Sequence, residues 1–493
     1  MGGLSLRRDF GRTFWIANVM ELFERAAYYG LNSVLAIYLT APRESGGLGF
    51  GEQAVGFLQG IVYAAIYLIP ILGGALADRY GYRRMLILAF SLLAAGYFAS
   101  GRMSSYAMVF LALLVMAAGG GLFKPIISGT IARTTDERTS SVGFGIYYWM
   151  INLGAFVAPL MVTVLRGFSW RAVFTASAAY TAAMLLPAVF IYRDPPRPGS
   201  SKSLREVLVG AAEVLGDARF ILMIVVYSGF WILYFQTFGT VLWFLRDFVD
   251  VAPVDGAVNA LLGAIGLSVR FHFDAEHVTV LNAGMIIVLQ FLVSRIVKNL
   301  PALPVMVTGM AIGALGFGCL AASRHAWVFL LGMAVFTIGE MTAHPKYYSF
   351  VGLVAPPDRK AVYMGYSFLY GVFGPLLGSN LGAFLYERML APVIGTGAAD
   401  SRARLFWSLF AVLDAAAAGL LLLFARAFGE DTPSARRGAA RVMTAVYAAI
   451  ALLGGAFMYA AFAAEEPEIR TAVQAGIFVL MGAGGLAILR RRA

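Results

Sequence analysis

The chain has 493 residues, 60% of them hydrophobic and 13% charged, with a mean hydropathy of +0.76, whereas soluble domains run at about 45–50% apolar and about 25% charged. That excludes an ordinary water-soluble globule and leaves helices or a closed barrel, the two architectures that satisfy their own backbone in lipid. The net charge of +11 is dealt out among loops rather than gathered in a patch, which argues for membrane orientation and against a nucleic-acid partner.

Apolar runs of about 20 residues choose helices, and the sequence predicts six of them at Phe14–Thr40, Ala54–Ala77, Met85–Ser100, Tyr106–Ala132, Val142–Leu165 and Ala172–Tyr192. The first carries Glu21, Glu24 and Arg25 in its middle and is far longer than a signal-peptide core, so it is expected to stay in the mature protein. A polar stretch rich in Pro, Ser and charge follows. The second series is expected at Phe220–Leu245, Val278–Val297, Leu303–Ala322, Trp327–Leu353, Ala361–Leu385 and Leu405–Phe424, with two further runs at Val442–Ala463 and Thr471–Leu489. The expected architecture is an all-α membrane protein of about 14 spans. Residues 1–193 form a six-helix bundle, 194–219 a cytoplasmic linker, 220–428 a second six-helix bundle, and 429–493 two extra transmembrane helices. Segment 246–277, long and partly apolar, fits either a short surface helix or a re-entrant piece.

Lys and Arg accumulate on cytoplasmic loops. With the N-terminus inside, 24 of the 38 fall on the inner side and 11 on the outer, and Arg25, Lys124 and Lys346 lie within spans. Both termini are therefore expected in the cytoplasm of a cell whose plasma membrane, most simply a bacterial inner membrane, holds the protein. The single cysteine, Cys319, excludes internal disulfides and a multi-cysteine metal site, and is read as a small core residue. No phosphate-binding loop, nucleophile–base set or metal cluster is found, so neither an enzyme nor a cofactor is expected.

A charge at the bilayer centre costs about 2.5–3.5 kcal/mol on insertion scales and is a functional candidate by default. In span one, Glu21 and Arg25 stand i, i+4 with Tyr29 continuing the face, and Glu24 and Tyr28 repeat the spacing. Span four supplies Lys124 before Pro125, which interrupts the backbone ladder. Span ten supplies Glu340 and His344, again i, i+4 and able to touch, and Lys346, expected to snorkel or to meet a carboxylate on another span. The alternative for each is a static ion pair locking two helices. Three carboxylates and two certain cations in separate halves exceed what packing requires, whereas a polar ligand needs such a set.

Two sets of motifs carry resemblances. Gly74-Ala-Leu-Ala-Asp78-Arg79-Tyr-Gly81-Tyr-Arg83-Arg84 resembles the loop motif of the major facilitator superfamily, which implies a cytoplasmic gating role for Gly74, Asp78, Arg79 and Gly81. Glu21-Leu-Phe-Glu24-Arg25-Ala-Ala-Tyr28-Tyr29-Gly30 resembles the signature that opens the proton-dependent oligopeptide transporter family. Phe123-Lys124-Pro125, the run from Phe144 to Gly154, and Gly339-Glu340 with Pro345 resemble that family's patterns in helices four, five and ten. The resemblance implies a major facilitator 6+6 bundle and proton-coupled uptake of di- and tripeptides. It also implies site residues: Arg25 and Lys124 toward the peptide carboxylate, Glu340, Asn152 and Asn282 toward the amino group, Tyr29 and Tyr67 along the wall, and Glu21, Glu24, Arg25 and Glu340 in proton coupling. The partners implied are a small peptide, protons and the lipid bilayer, with the proton gradient in place of any cofactor.

Departures from the family pattern are equally specific. Phe235 stands where helix seven usually has an acid, Asn32 where an arginine often follows the first motif, His344 before the helix-ten proline in place of serine, and Ser367 at a common tryptophan position. His344, with an ordinary pKa of about 6.5, is a candidate to read substrate or to take over titration lost at Phe235. The alternatives left open are a transporter of another substrate, such as a peptide-like drug, an anion or a lipid, with altered proton coupling, and a non-transporting sensor or scaffold.

Overall fold

A computed structural model describes residues 10–136, 139–195, 204–356, 360–463 and 469–490, and the molecule is built of helices. The long helices are α1 (Arg12–Asn32), α2 (Glu52–Tyr80), α3 (Tyr82–Ser100), α4 (Tyr106–Arg133), α5 (Ser140–Phe168), α6 (Trp170–Phe190), α7 (Ala218–Phe238), α8 (Ala275–Val297), α9 (Ala302–Ala322), α10 (Ala326–Val354), α11 (Val362–Val393), α12 (Ala399–Phe428), α13 (Pro433–Ala463) and α14 (Ile469–Arg490). Thirteen helices among the described residues are long and apolar enough to cross a membrane. The helix outside that set is α1, which is 21 residues long and carries Glu21, Glu24 and Arg25.

The packing repeats itself. Helices α1, α5 and α6 meet as α7, α11 and α12 do; α2 packs on α4 as α8 does on α10; α3 packs on α4 and α6 as α9 does on α10 and α12. Advancing every helix by six thus maps the first group onto the second. The groups meet along α2 with α11 and α5 with α8, a pairing that the same shift also preserves. Helices α13 and α14 pack mainly on each other, and α13 leans on α7.

Glycines set the closest approaches in both groups, as expected where helix association draws on van der Waals contact rather than water release. A Cβ on Gly96 of α3 would lie 2.5 Å from the Met116 backbone nitrogen of α4. In the equivalent pair, a Cβ on Gly339 of α10 would lie 2.5 Å from the Gly309 carbonyl oxygen and 2.7 Å from the Gly313 nitrogen of α9. Cys319, read as a core residue, is half-buried at this crossing.

Several helix boundaries depart from the sequence expectation. Span one does not run unbroken to Thr40. Asn32 Nδ2 and Ser33 Oγ turn back to donate to the Tyr28 and Gly30 carbonyls at 2.8 Å each, competing with the ladder, and a separate helix covers Leu35–Thr40. Span seven breaks likewise: a 3₁₀ turn occupies Phe235–Phe238, and a new helix runs Thr240–Phe248. The expected linker, 194–219, contains a helix at Leu204–Leu215, and residues 196–203 lie outside the described part. Segment 246–277 holds a short, largely exposed helix, Ala252–Ala264. Helix α13 begins at Pro433, so it takes in Arg436, Arg437 and Arg441, which the expected span beginning at Val442 left out.

Among the described residues, the hydrogen bonds and ion pairs that join the two groups gather at one end of the bundle. Arg166 of α5 donates to Asp274 and Glu276 of α8 at 2.8 Å each, and Thr163 Oγ1 donates to Glu276 at 2.9 Å. Across the bundle, Arg246 donates to Thr40 Oγ1 at 2.8 Å and lies 3.9 Å from Glu52, and Trp243 Nε1 donates to the Ala36 carbonyl. This end is tied across the two groups; the opposite end carries the α2–α3, α4–α5 and α6–α7 connections.

Two outcomes follow from these contacts. Gly339→Ala is expected to lower the thermal midpoint of the purified protein by the equivalent of about 1–3 kcal/mol of overpacking, while Gly318→Ala, whose Cβ would meet nothing within 4 Å, leaves it unchanged; equal midpoints would remove the close crossing. Arg166→Ala leaves Glu276, 1% exposed, without its cation and is expected to shift the tied end toward separation by roughly 1–2 kcal/mol. Spin-label distances between the ends of α5 and α8 in a Cys319→Ser background report this, and an unchanged distribution would show the pair to be idle.

Candidate functional site

The ionic cluster of α1 is built by helix spacing and by one glycine. A Cβ on Gly154 of α5 would meet the Leu22 carbonyl oxygen at 2.8 Å and the Arg25 Cβ at 3.0 Å. Gly154 therefore lets α5 cross α1 at the height of Arg25, and Asn152 comes to the same level, buried, its Nδ2 donating to the Tyr148 carbonyl at 2.9 Å. Arg25 meets both acids of its helix: its Nε donates to Glu24 Oε2 at 2.5 Å and stands at ion-pair distance, 3.5 Å, from Glu21 Oε1. All three are nearly closed off, at 6%, 1% and 2% exposure. The shorter contact goes to the adjacent Glu24 rather than to the i, i+4 partner Glu21, and Glu21 Oε2 has no hydrogen-bond partner among the described residues. The guanidinium carbon lies 4.9 Å from the Tyr28 ring centre and 6.0 Å from that of Tyr29.

Lys124 reaches the same region from α4. Its Nζ sits 4.2 Å over the Tyr67 ring of α2, and no carboxylate among the described residues comes within ion-pair distance of it. Pro125 next to it packs against Gly73 of α2, where a Cβ would stand 3.3 Å from the proline ring. Tyr67 in turn lies against Gly371 of α11, so this wall reaches the seam between the two groups.

The second group contributes the opposite sign. Glu340 of α10 accepts from Asn282 Nδ2 of α8 at 2.9 Å, and Asn282 also donates to Thr337 Oγ1 at 3.1 Å. Tyr29 lies in the electrostatic field of both Arg25 and Glu340. The structure thus joins Glu21, Glu24 and Arg25 in one cluster and Asn282 with Glu340 in another.

Two expectations for α10 are corrected. His344 does not pair with Glu340: its Nδ1 lies 3.2 Å from the Tyr227 hydroxyl, and its ring is 4.9 Å from Trp231 and Tyr348 and 5.6 Å from Tyr370. The proline that follows it and these four aromatic rings hold it on the wall toward α7 and α11. Lys346 meets no carboxylate among the described residues; its Nζ donates to the Lys298 and Leu300 carbonyls at 3.2 and 2.8 Å, closing the C-terminal end of α8.

The departures at Asn32 and Phe235 are neighbours in space. Tyr63 of α2 donates its hydroxyl to Asn32 Oδ1 at 2.8 Å, and its ring lies 5.5 Å from Phe235. Gln59 donates to the Tyr63 hydroxyl at 3.1 Å and to the Phe238 carbonyl of α7 at 3.0 Å, so a neutral chain of hydrogen bonds crosses between the groups here.

In the last turn of α2, Asp78 pairs with Arg133 of α4 at 2.8 Å, and Tyr82 lies 4.5 Å beneath that guanidinium. Gly81 turns the chain at φ 98°, which favours glycine. Arg79 rests over Tyr80 at 5.5 Å, while Gly74 meets Pro125 in ordinary contact.

One buried acid escaped the sequence reading. Asp414 of α12 is 0% exposed, and neither carboxylate oxygen has a hydrogen-bond partner among the described residues. The signal was present: an aspartate within an apolar span, the criterion that found Glu340.

A family model described as Major Facilitator Superfamily matches residues 15–379. The di-/tripeptide transporter of Lactococcus lactis subsp. lactis (strain IL1403) is 30% identical over 256 residues, 49% of this chain and 49% of that protein. The chain spans about half the length of the first curated relatives it matches. Multidrug resistance protein MdtH of Aeromonas hydrophila is 25% identical over 354 residues, 69% of this chain and 80% of the other. A crystal structure of peptide transporter POT in complex with sulfate superposes with a TM-score of 0.69 over 84% of this chain and 94% of that one, at 19% identity, which establishes a shared fold. Within the superfamily, the resemblance runs to the proton-dependent oligopeptide transporters. By its matched span, its repeated six-helix packing and its motif at the end of α2, the chain belongs to the Major Facilitator Superfamily.

Proposed function

We propose that the chain is a secondary transporter, not an enzyme, that takes up di- and tripeptides or similar small zwitterions together with protons by alternating access. The observation that carries this reading is the division of charge: Arg25 and Lys124 stand in the first group and Glu340 in the second. A zwitterion laid between them has its carboxylate facing the cations and its amino group facing Glu340, Asn282 and Asn152, with Tyr29 and Tyr67 beside it. Glu24 and Glu21 compete for Arg25, and the unpartnered oxygen of Glu21 offers a place for a proton. Protonation there removes one of the two negative charges facing Arg25 and leaves it paired with Glu24 alone, so a substrate carboxylate can take the place given up by Glu21 and proton and peptide arrive together. The proton gradient supplies the energy and no cofactor takes part.

The distribution of Lys and Arg supports both termini in the cytoplasm and a bacterial inner membrane around the bundle. In that orientation the end tied by Arg166 and Arg246 faces outward. The motif of Gly74, Asp78, Arg79 and Gly81, at the end of α2 and its turn into α3, then lies on the cytoplasmic side, where the Asp78–Arg133 pair binds α2 to α4.

A second reading, export or uptake of a drug-like compound, is favoured by the similarity to the protein named MdtH and by the aromatic surface at Phe235, Tyr63 and Tyr67. Uptake of labelled dialanine into proteoliposomes separates the two. Under an inward proton gradient the parent protein is expected to accumulate the dipeptide, and Lys124→Ala and Glu340→Ala are each expected to reduce uptake roughly tenfold or more, the loss of one charge-assisted contact. Uptake that ignores the gradient would remove the coupling, and no uptake by the parent would favour the second reading. His344→Phe is expected to keep the pH profile of uptake, because His344 sits among aromatic rings away from Glu340; a displaced profile would return it to proton coupling.

A further inference from the structure

A second basic site lies far from the central one. Where α13 and α14 meet the ends of α7, α10 and α12, the structure encloses a cavity of about 740 Å³. Its apolar side is formed by Phe220, Phe350, Val354, Phe424, Leu486 and Leu489. Its polar side carries five arginines and two aspartates.

The two acids are already engaged. Asp217 accepts from the Phe220 backbone at 3.1 Å, capping α7, and from the Tyr363 hydroxyl at 2.7 Å. Asp431 receives Arg436 through both Nε and Nη2, at 2.7 and 2.6 Å, and these bonds hold its carboxyl below the ordinary aspartate range. Arg219, buried, lies 3.6 Å from Asp431 and donates to the Phe428 and Gly429 carbonyls at 2.7 and 2.8 Å, closing the end of α12. That leaves Arg437 and Arg441, i, i+4 on α13, and Arg490 at the end of α14. None of these three makes a hydrogen bond or ion pair among the described residues.

Three arginines without counter-ions, gathered at one mouth from two helices, repel one another, and bringing them together costs free energy that an anion recovers. Guanidinium groups match phosphate oxygens in geometry as well as sign. The apolar side narrows the choice of anion, because a free phosphate has no use for six hydrophobic side chains, whereas a phospholipid does. Height agrees: α13 leaves its apolar run at Arg441, the boundary at which headgroups sit, and basic pockets between transmembrane helices hold such headgroups. We propose that this cavity binds a phosphate-bearing anion, namely the headgroup of an anionic phospholipid, with its chains along the seam between α13–α14 and the second six-helix group. The appended pair thereby becomes a lipid-reading attachment to the transporter.

The test reads stability rather than transport, so its failure is distinct from that of the peptide reading. Purified full-length protein is titrated with phosphatidylglycerol, phosphatidylcholine or inorganic phosphate, and its thermal midpoint followed. Phosphatidylglycerol is expected to raise the midpoint and phosphatidylcholine to leave it in place. In the triple variant Arg437→Gln, Arg441→Gln, Arg490→Gln, roughly tenfold or more phosphatidylglycerol should be needed for the same shift, while Arg470→Gln, at the other end of the pair, responds like the parent. Retention of phosphatidylglycerol through purification, counted by native mass spectrometry, should fall in the triple variant and covers the case in which the midpoint itself moves. Equal response of parent and triple variant overturns the site, and a shift produced by inorganic phosphate alone overturns its assignment to lipid.

Discussion

Hydrocarbon offers a charged group neither water nor a counter-ion, so whatever charge the chain takes into the bundle must be met from within. The cluster on α1 meets this requirement locally, with Arg25 flanked by Glu24 and Glu21, so the helix brings its own neutralisation into the membrane. Lys124 and Glu340 are met differently, one by the face of Tyr67 and the other by Asn282. Neither of those partners cancels a full charge. The proposed central site therefore holds groups of both signs that no counter-ion among the described residues cancels, which suits the dipolar ligand proposed for it.

The repeated packing gives this site its place. Because the contacts of α1–α6 recur in α7–α12, the two groups are comparable bodies, and they share a seam along α2 with α11 and α5 with α8. Polar ties concentrated at one end leave the other end free of them among the described residues. A pair of similar bodies fastened by polar ties at one end only is one of two such arrangements available to a symmetric pair.

Much of this was legible in the sequence because hydropathy and helical spacing are local. The spans came from runs of apolar residues, and the α1 cluster came from positions three and four apart, which a helix brings together whatever surrounds it. What stayed hidden depended on distant chain. Lys346 could not be matched to the Lys298 and Leu300 carbonyls from spacing, since acceptors at a helix end leave no mark in the sequence. His344 was placed with Glu340 by the i, i+4 rule, yet the aromatic rings of α7 and α11 decide its direction. The basic cavity is assembled from residues between 216 and 490, and only folding brings them to one mouth. Asp414 is the exception, visible to the rule already in use and passed over because no motif contained it.

The crossing at Tyr63 separates this chain from the family pattern in a way that bears on how the tied end responds to its surroundings. Asn32 and Phe235 stand where a base and an acid are common, and here they lie on either side of one tyrosine. Removing both signs together leaves the net charge of that layer unchanged, and the chain from Asn32 through Tyr63 and Gln59 to the Phe238 carbonyl fastens the groups with dipoles alone. Fixed dipoles in contact are little affected by dissolved salt, whereas the partly exposed Arg166 pair is screened by it. The bundle thus carries two clasps at the same end with different sensitivities: an outer ionic one that weakens as ionic strength rises, and an inner neutral one that does not.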